Sequence, residues 1–180
     1  MKAGALWRCW VSARWVSALT LLLIAPGALS NELPEYRLKA AFLYNFALFT
    51  EWPADVGATL TLCVVGNDPF GKELDALQGK AVGVRSLALQ RRGSQEPLKG
   101  CQLLFVAPSA IASLPRLLDE LRASPVLTVA DSPDAARQGV MLNMAVAANK
   151  VTFEANLVAA RAARLGLSAK LLRLATEVLQ

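Results

Sequence analysis

Two apolar periods alternate along this chain, and the switches between them mark out its elements. Over residues 35–52, Leu38, Phe42, Phe46 and Phe49 recur at spacings of four, four and three, which predicts one helix ended by Pro53. Three short runs at 60–65, Leu103–Val106 and 126–129 are apolar at almost every position. They are too uniform for one-sided strands and too short for helices, so they predict central strands of a parallel sheet covered on both faces. Leu114, Leu117, Leu118 and Leu121 supply the crossover helix that parallel strands require. Before it, the pattern predicts a short helix near 71–78, then a more polar strand over 82–90 whose Arg85 suits a sheet edge. Residues 91–100, with Gly93, Ser94, Pro97 and Gly100, read as a surface loop.

After the third apolar run, Asp131-Ser132-Pro133 has the form of a helix start, with Ser132 as N-cap and Pro133 at the first helical position. A hairpin is expected between 140–144 and 151–155, across a turn containing Asn149-Lys150. In its second strand Val151, Phe153 and Ala155 face one way while Thr152 and Glu154 face the other. Asn156 is placed to cap an Ala-rich helix that stops at Gly166, and Ser168 to cap a last helix. There Leu167 and Leu172 form a hydrophobic staple and Leu171, Leu174, Ala175 and Val178 face the core. The expected fold is α/β: a mainly parallel sheet flanked by helices, an α/β sandwich, with a C-terminal antiparallel hairpin and two final helices. No repeat or linker divides it, so residues 31–180 read as one domain.

The first thirty residues follow a different rule. Lys2, Arg8 and Arg14 precede an apolar core of roughly a dozen residues, and Ala28-Leu29-Ser30 places small residues at −3 and −1. This predicts a cleaved signal peptide over 1–30, because the run is shorter than the ~20 residues of a comfortable span. The exported protein is then periplasmic and not membrane-spanning. Cleavage removes three of 19 basic residues and none of 14 acidic ones, leaving 16 against 14. With Arg91-Arg92 the only adjacent basic pair after the leader, nucleic acid is not an expected partner.

The 180 residues include no histidine, which excludes Ser-His-Asp and Cys-His catalysis and the usual zinc sites. The acidic residues are dispersed, so no metal and no cofactor is expected. Export leaves Cys63 and Cys101, which allow one pairing in a compartment where disulfides persist. A bond needs neighbouring strands with Cα atoms within ~7 Å; the alternative is two inert buried thiols. Asn45, flanked by apolar helical neighbours, reads as a buried amide tied to backbone or turned to a ligand. The turn Gly66-Asn67-Asp68-Pro69-Phe70-Gly71 leaves the carboxyl end of a parallel strand, where α/β sheets take ligands, but lacks the dinucleotide and P-loop spacings. It is either a plain strand-to-helix turn or part of a site. Asn45, Trp52, Asn67 and Asp68 are thus the candidate ligand contacts. Glu154 is either a solvated strand-end carboxylate or a partner-binding residue.

Residues 40–53 (AAFLYNFALFTEWP), LCVVGNDPFG at 62–71, Gly79-Lys80, CQLLFV at 101–106, VLTVAD at 126–131, Gly139 with Met141, and FEANLVAAR at 153–161 together resemble the YfiR family. The resemblance implies a periplasmic repressor that binds the periplasmic domain of an inner-membrane diguanylate cyclase, lowering cyclic-di-GMP signalling and biofilm formation. It also implies a homodimer, and capture of the repressor by an outer-membrane, peptidoglycan-associated lipoprotein. Cys63 and Cys101 match a family cysteine pair, whereas the second pair of better-characterised relatives is missing from 140–153. Glu154 matches a position implicated in repression, and Asn156, Ala159 and Ala160 would share its surface. The alternative function is a periplasmic small-molecule-binding sensor; an enzyme would need two carboxylates converging in a pocket.

Overall fold

The computed structural model describes residues 32–147 and 150–180. The expected leader over 1–30, and Asn149 of the hairpin turn, lie outside the described residues. The chain runs α1 (Glu32–Leu48), β1 (Thr50–Glu51), β2 (Thr59–Val65), α2 (Lys72–Asp75), β3 (Ala81–Val82), β4 (Arg85–Arg92) and β5 (Leu103–Val106). A 3-10 turn (Pro108–Ser113) leads into α3 (Leu114–Glu120), followed by β6 (Leu127–Ala130), β7 (Leu142–Ala147) and β8 (Lys150–Asn156). Last come α4 (Leu157–Ala162), β9 (Gly166–Leu167), α5 (Ala169–Leu172) and β10 (Glu177–Leu179).

Eight strands form one sheet in the order β10-β8-β7-β6-β5-β2-β4-β3. From β4 to β7 neighbours are parallel, β8 returns antiparallel to β7, and β10 joins parallel to β8. The α/β sandwich expected from the apolar runs is therefore the observed fold. The central strands are apolar because both faces are covered. Leu60, Leu62 and Val64 of β2 enter a core with Phe46 of α1, Phe105 and Phe153, while Cys63 and Val65 enter a second core with Leu114 and Leu117 of α3. The edge-to-face contacts of Phe46 with Phe153 (5.0 Å) and Phe70 with Phe105 (4.8 Å) lie in the first core. Cys63 is disulfide-bonded to Cys101, with Cα atoms 5.8 Å apart; Cys101 lies just before β5, not within it.

Several elements depart from the periodic reading. The first helix stops at Leu48, not Trp52: Thr50 Oγ1 donates back to Phe46 O (2.7 Å), and Thr50–Glu51 pair antiparallel with Gly166–Leu167. Its buried face is Lys39, Ala40, Leu43, Phe46 and Ala47, which leaves Leu38 44 % exposed and Asn45 exposed instead of inside the apolar face. Residues 132–139 make turns, not a helix, and Ser132 Oγ caps none of the described residues. The helix begun at Asn156 ends at Ala162, because Arg164, not Gly166, takes the left-handed conformation (φ 60°). The last helix covers only four residues; Leu174 is 65 % exposed, and 177–179 join the sheet beside β8. The strand carrying Arg85 is next to the edge, with two-residue β3 outside it.

Candidate partner-binding surface

The pleat of β8 buries Phe153 and Ala155 and turns Glu154 to the other side, half-buried. Glu154 sits directly opposite Asn143 of β7, whose Nδ2 donates to Glu154 Oε2 (3.2 Å). Asn143 is itself buried, and its Oδ1 accepts from Ser132 N (3.3 Å) in the turn after β6. The preceding residue, Asp131, anchors a second set of contacts. Its Oδ2 accepts from Lys39 Nζ (2.8 Å) and from the Tyr36 hydroxyl (3.1 Å), and Lys39 also pairs with Glu35 (2.5 Å). The side chains of Lys39 and Asp131 are 5 % and 1 % exposed, so the ion pair is taken out of water and depends on its own geometry. Asp131 Oδ1 and Ser132 Oγ are buried without a hydrogen-bond partner among the described residues. Glu154 is thus the outermost member of a polar chain that reaches back to the first helix. On its other side Glu177 of β10 lies in register with it, and Arg137 holds both Glu177 carboxylate oxygens at 3.0 and 3.1 Å. An open cavity of about 340 Å³ lies over this network, bounded by Glu35, Lys39, Asp131, Asn143, Val146 and Glu154.

The other proposed surface residues are less available. Asn156 Oδ1 accepts from Ala159 N (2.9 Å) as the N-cap of α4, while Nδ2 donates to Ala136 O (2.9 Å), so both ends of the amide are engaged in structure. Ala160 is fully buried in the core, which places it beneath the surface; Val158, Arg161 and Ala162 are the exposed residues of α4.

The four candidate ligand contacts do not converge. Tyr36 at the start of α1 packs on Phe70 just after β2 (5.2 Å), so α1 runs opposite to β2. Asn45 and Trp52 therefore lie toward the amino ends of the parallel strands, where Trp52 Nε1 donates to Ala47 O (3.1 Å). Asn67 and Asp68 lie at the carboxyl ends, beyond a seven-residue strand that spans ~20 Å. Asp68 is consumed locally, accepting from Phe70 N (2.8 Å) and pairing with Arg91 Nε (2.6 Å). Asn67 is exposed, and its backbone N–H donates to Ser109 Oγ (2.8 Å).

Sequence reasoning missed Lys39, Asp131 and Asn143. A signal for the first was present: Lys39 is in phase with Leu43, Phe46 and Thr50 on the buried face, and a charge there needs a partner.

By architecture, then, the chain is an α/β sandwich in which a hydrogen bond from Asn143 supports the half-buried Glu154 carboxylate. Residues 36–176 match the YfiR/HmsC-like family, and the chain belongs to that family. It is a family of periplasmic regulators in the cyclic-di-GMP pathway, not known as enzymes. No curated protein matches the chain. Among the described residues, no helix is long and apolar enough to cross a membrane, and no cluster of three potential ligands suits a metal ion.

Proposed function

We propose that the protein is a periplasmic repressor: residues 1–30 direct export, and the domain 31–180 binds the periplasmic part of an inner-membrane diguanylate cyclase and holds it inactive. Membership of the YfiR/HmsC-like family carries this reading. The support of Glu154 by Asn143, at the rim of an open cavity, favours Glu154 as the contact residue. Asn156 contributes by fixing the start of α4 beside it. A rim charge held in one geometry suits specificity, since a wrongly charged partner group meets an uncompensated carboxylate. Homodimer formation and capture by an outer-membrane, peptidoglycan-associated lipoprotein belong to the same proposal. The test is cyclic-di-GMP in cells expressing the cognate cyclase. Export of the wild-type protein lowers it, and Glu154→Lys at equal abundance restores it; unchanged cyclic-di-GMP with wild-type protein present would overturn the repressor reading.

A second reading, a sensor of a small molecule, is favoured by the crevice beside Asn67 at the carboxyl ends of β2 and β5.

A further inference from the structure

The strand order reverses at β2. From β2 the chain passes through α2, whose Leu74 packs in the α1 core, and returns to β4 on one side. From β5, on the other side of β2, it passes through α3, whose Leu114 and Leu117 pack in the opposite core, to reach β6. The connections after β2 and β5 thus part to opposite faces of the sheet, and a crevice opens beside them at the carboxyl ends of β2, β4 and β5. Open α/β sheets take ligands at this topological position. The crevice encloses about 430 Å³, within the range for a small organic ligand.

Its chemistry is one-sided. Among the described residues, none that lines it carries a carboxylate, and Arg91, Arg92, Ser94 and Ser109 are among its lining residues. Arg91 is pinned from behind, Nε by Asp68 (2.6 Å) and Nη2 by Asp75 (2.7 Å) and Gly71 O (3.3 Å). The hydrogen bonds that Arg91 donates to Asp75 and then Asp68 raise its pKa above the usual guanidinium value, and the two carboxylates already answer its charge. Arg92 has no such counter-charge among the described residues. Its Nη1 donates to Pro97 O, and its Nη2 to Gln90 Oε1 (2.5 Å) and Lys99 O (3.4 Å), all neutral acceptors. Its Nε is buried with no hydrogen-bond partner among the described residues, and an unpaired donor on a charged group is costly. Ser109 Oγ accepts from Asn67 N (2.8 Å), which leaves its hydroxyl hydrogen to donate. Gly66, at φ +100°, permits this closeness: a Cβ there would lie 2.7 Å from Ser109 Oγ and 2.9 Å from the Ala110 Cβ.

We propose that the crevice at the carboxyl ends of β2, β4 and β5 binds a small molecule through an oxyanion, phosphate or carboxylate, held by Arg92 and Ser109. This deepens the second reading above, on which it rests, by fixing the charge of the ligand. The site lies apart from Glu154 and does not depend on the repressor reading.

The test is amide NMR on the exported protein, titrated at matched ionic strength with inorganic phosphate, acetate, glycerol and ethylamine. Saturable shifts at Asn67, Gly93 and Ser109 are expected with one or both anions at millimolar concentration (~1 mM, the weak end of specific binding); whichever anion acts identifies the source. Arg92→Gln is expected to weaken this about tenfold or more, the loss of one charge-assisted contact. Because Arg92 also braces the 93–100 loop, Ser109→Ala is run as a second variant and is expected to weaken binding while other resonances stay in place. Shifts with glycerol or ethylamine but neither anion would overturn the oxyanion assignment and keep the crevice as a ligand site. No shift with any of the four would overturn both.

Discussion

Replacing Lys39 by methionine removes one partner of the Lys39–Asp131 pair while nearly preserving shape. It leaves the Asp131 carboxylate, 1 % exposed, with the Tyr36 hydroxyl on Oδ2 and no partner on Oδ1 among the described residues. Stranding a buried charge in this way costs ~3–5 kcal/mol. The lost contact with half-exposed Glu35 adds under ~1 kcal/mol. Asp131→Asn in the same background discharges the stranded group, so the double variant should regain ~2 kcal/mol or more of the loss, as coupled neighbours do. Urea unfolding followed by the fluorescence of Trp52, the sole tryptophan after residue 30, measures both. With m of ~2 kcal/mol/M, the single variant's midpoint should fall by ~1.5–2.5 M at unchanged m. A fall below ~0.5 M, or a double variant no more stable than Lys39→Met alone, would refute the claim that the pair is buried and mutually dependent.

Three other outcomes follow from the same geometry. Reducing Cys63–Cys101, or replacing both by alanine, opens a loop of 38-residue separation and should cost ~4 kcal/mol by chain entropy, read as a lower urea midpoint against the oxidised protein. Asn156→Ala removes the cap on Ala159 N and the donor to Ala136 O, which keeps its bond from Gly139 N, for a loss of ~1 kcal/mol with faster amide exchange in α4; Asn156→Ser, which keeps a cap acceptor, should lose less. Gly66→Ala meets both a left-handed φ and the Ser109 contact, and should cost ~1–3 kcal/mol by thermal unfolding; no loss would show that the two connections can separate freely.

The central sheet was legible because burial on both faces leaves a signature within four to seven residues, as in 60–65 and Leu103–Val106. Caps that act within one turn, Asn156 on Ala159 and Ser168 on Leu171, were legible for the same reason. What failed was decided at long range. Thr50 and Glu51 continue the helical period but are drawn off by Gly166–Leu167, more than a hundred residues on. The apolar positions of 174–178 fit a helix as well as a strand, and the open edge of β8 decides for the strand at Glu177–Leu179. Asp131-Ser132-Pro133 carries a capping signature that lost to Asp131's pairing with Lys39 and to Ser132's backbone contact with Asn143. For the candidate surface, the exposed face of Glu154 could be read from strand alternation, whereas its support could not. Asn143 becomes its neighbour only through the hairpin register. Ala160 shows the limit of the resemblance: the segment was recognised, but the helical phase that buries it was not.

The most direct measurement is equilibrium binding between the protein, its disulfide intact, and the periplasmic domain of the diguanylate cyclase proposed as its partner, with Glu154→Lys in parallel. A dissociation constant of ~1 μM or tighter is expected. Glu154→Lys should weaken it ~30-fold or more, as expected for reversing a charge fixed at an interface, while its urea midpoint stays near wild type. Absence of binding by the folded wild-type protein would contradict the repressor reading, and wild-type affinity in Glu154→Lys would move the contact surface elsewhere on the domain.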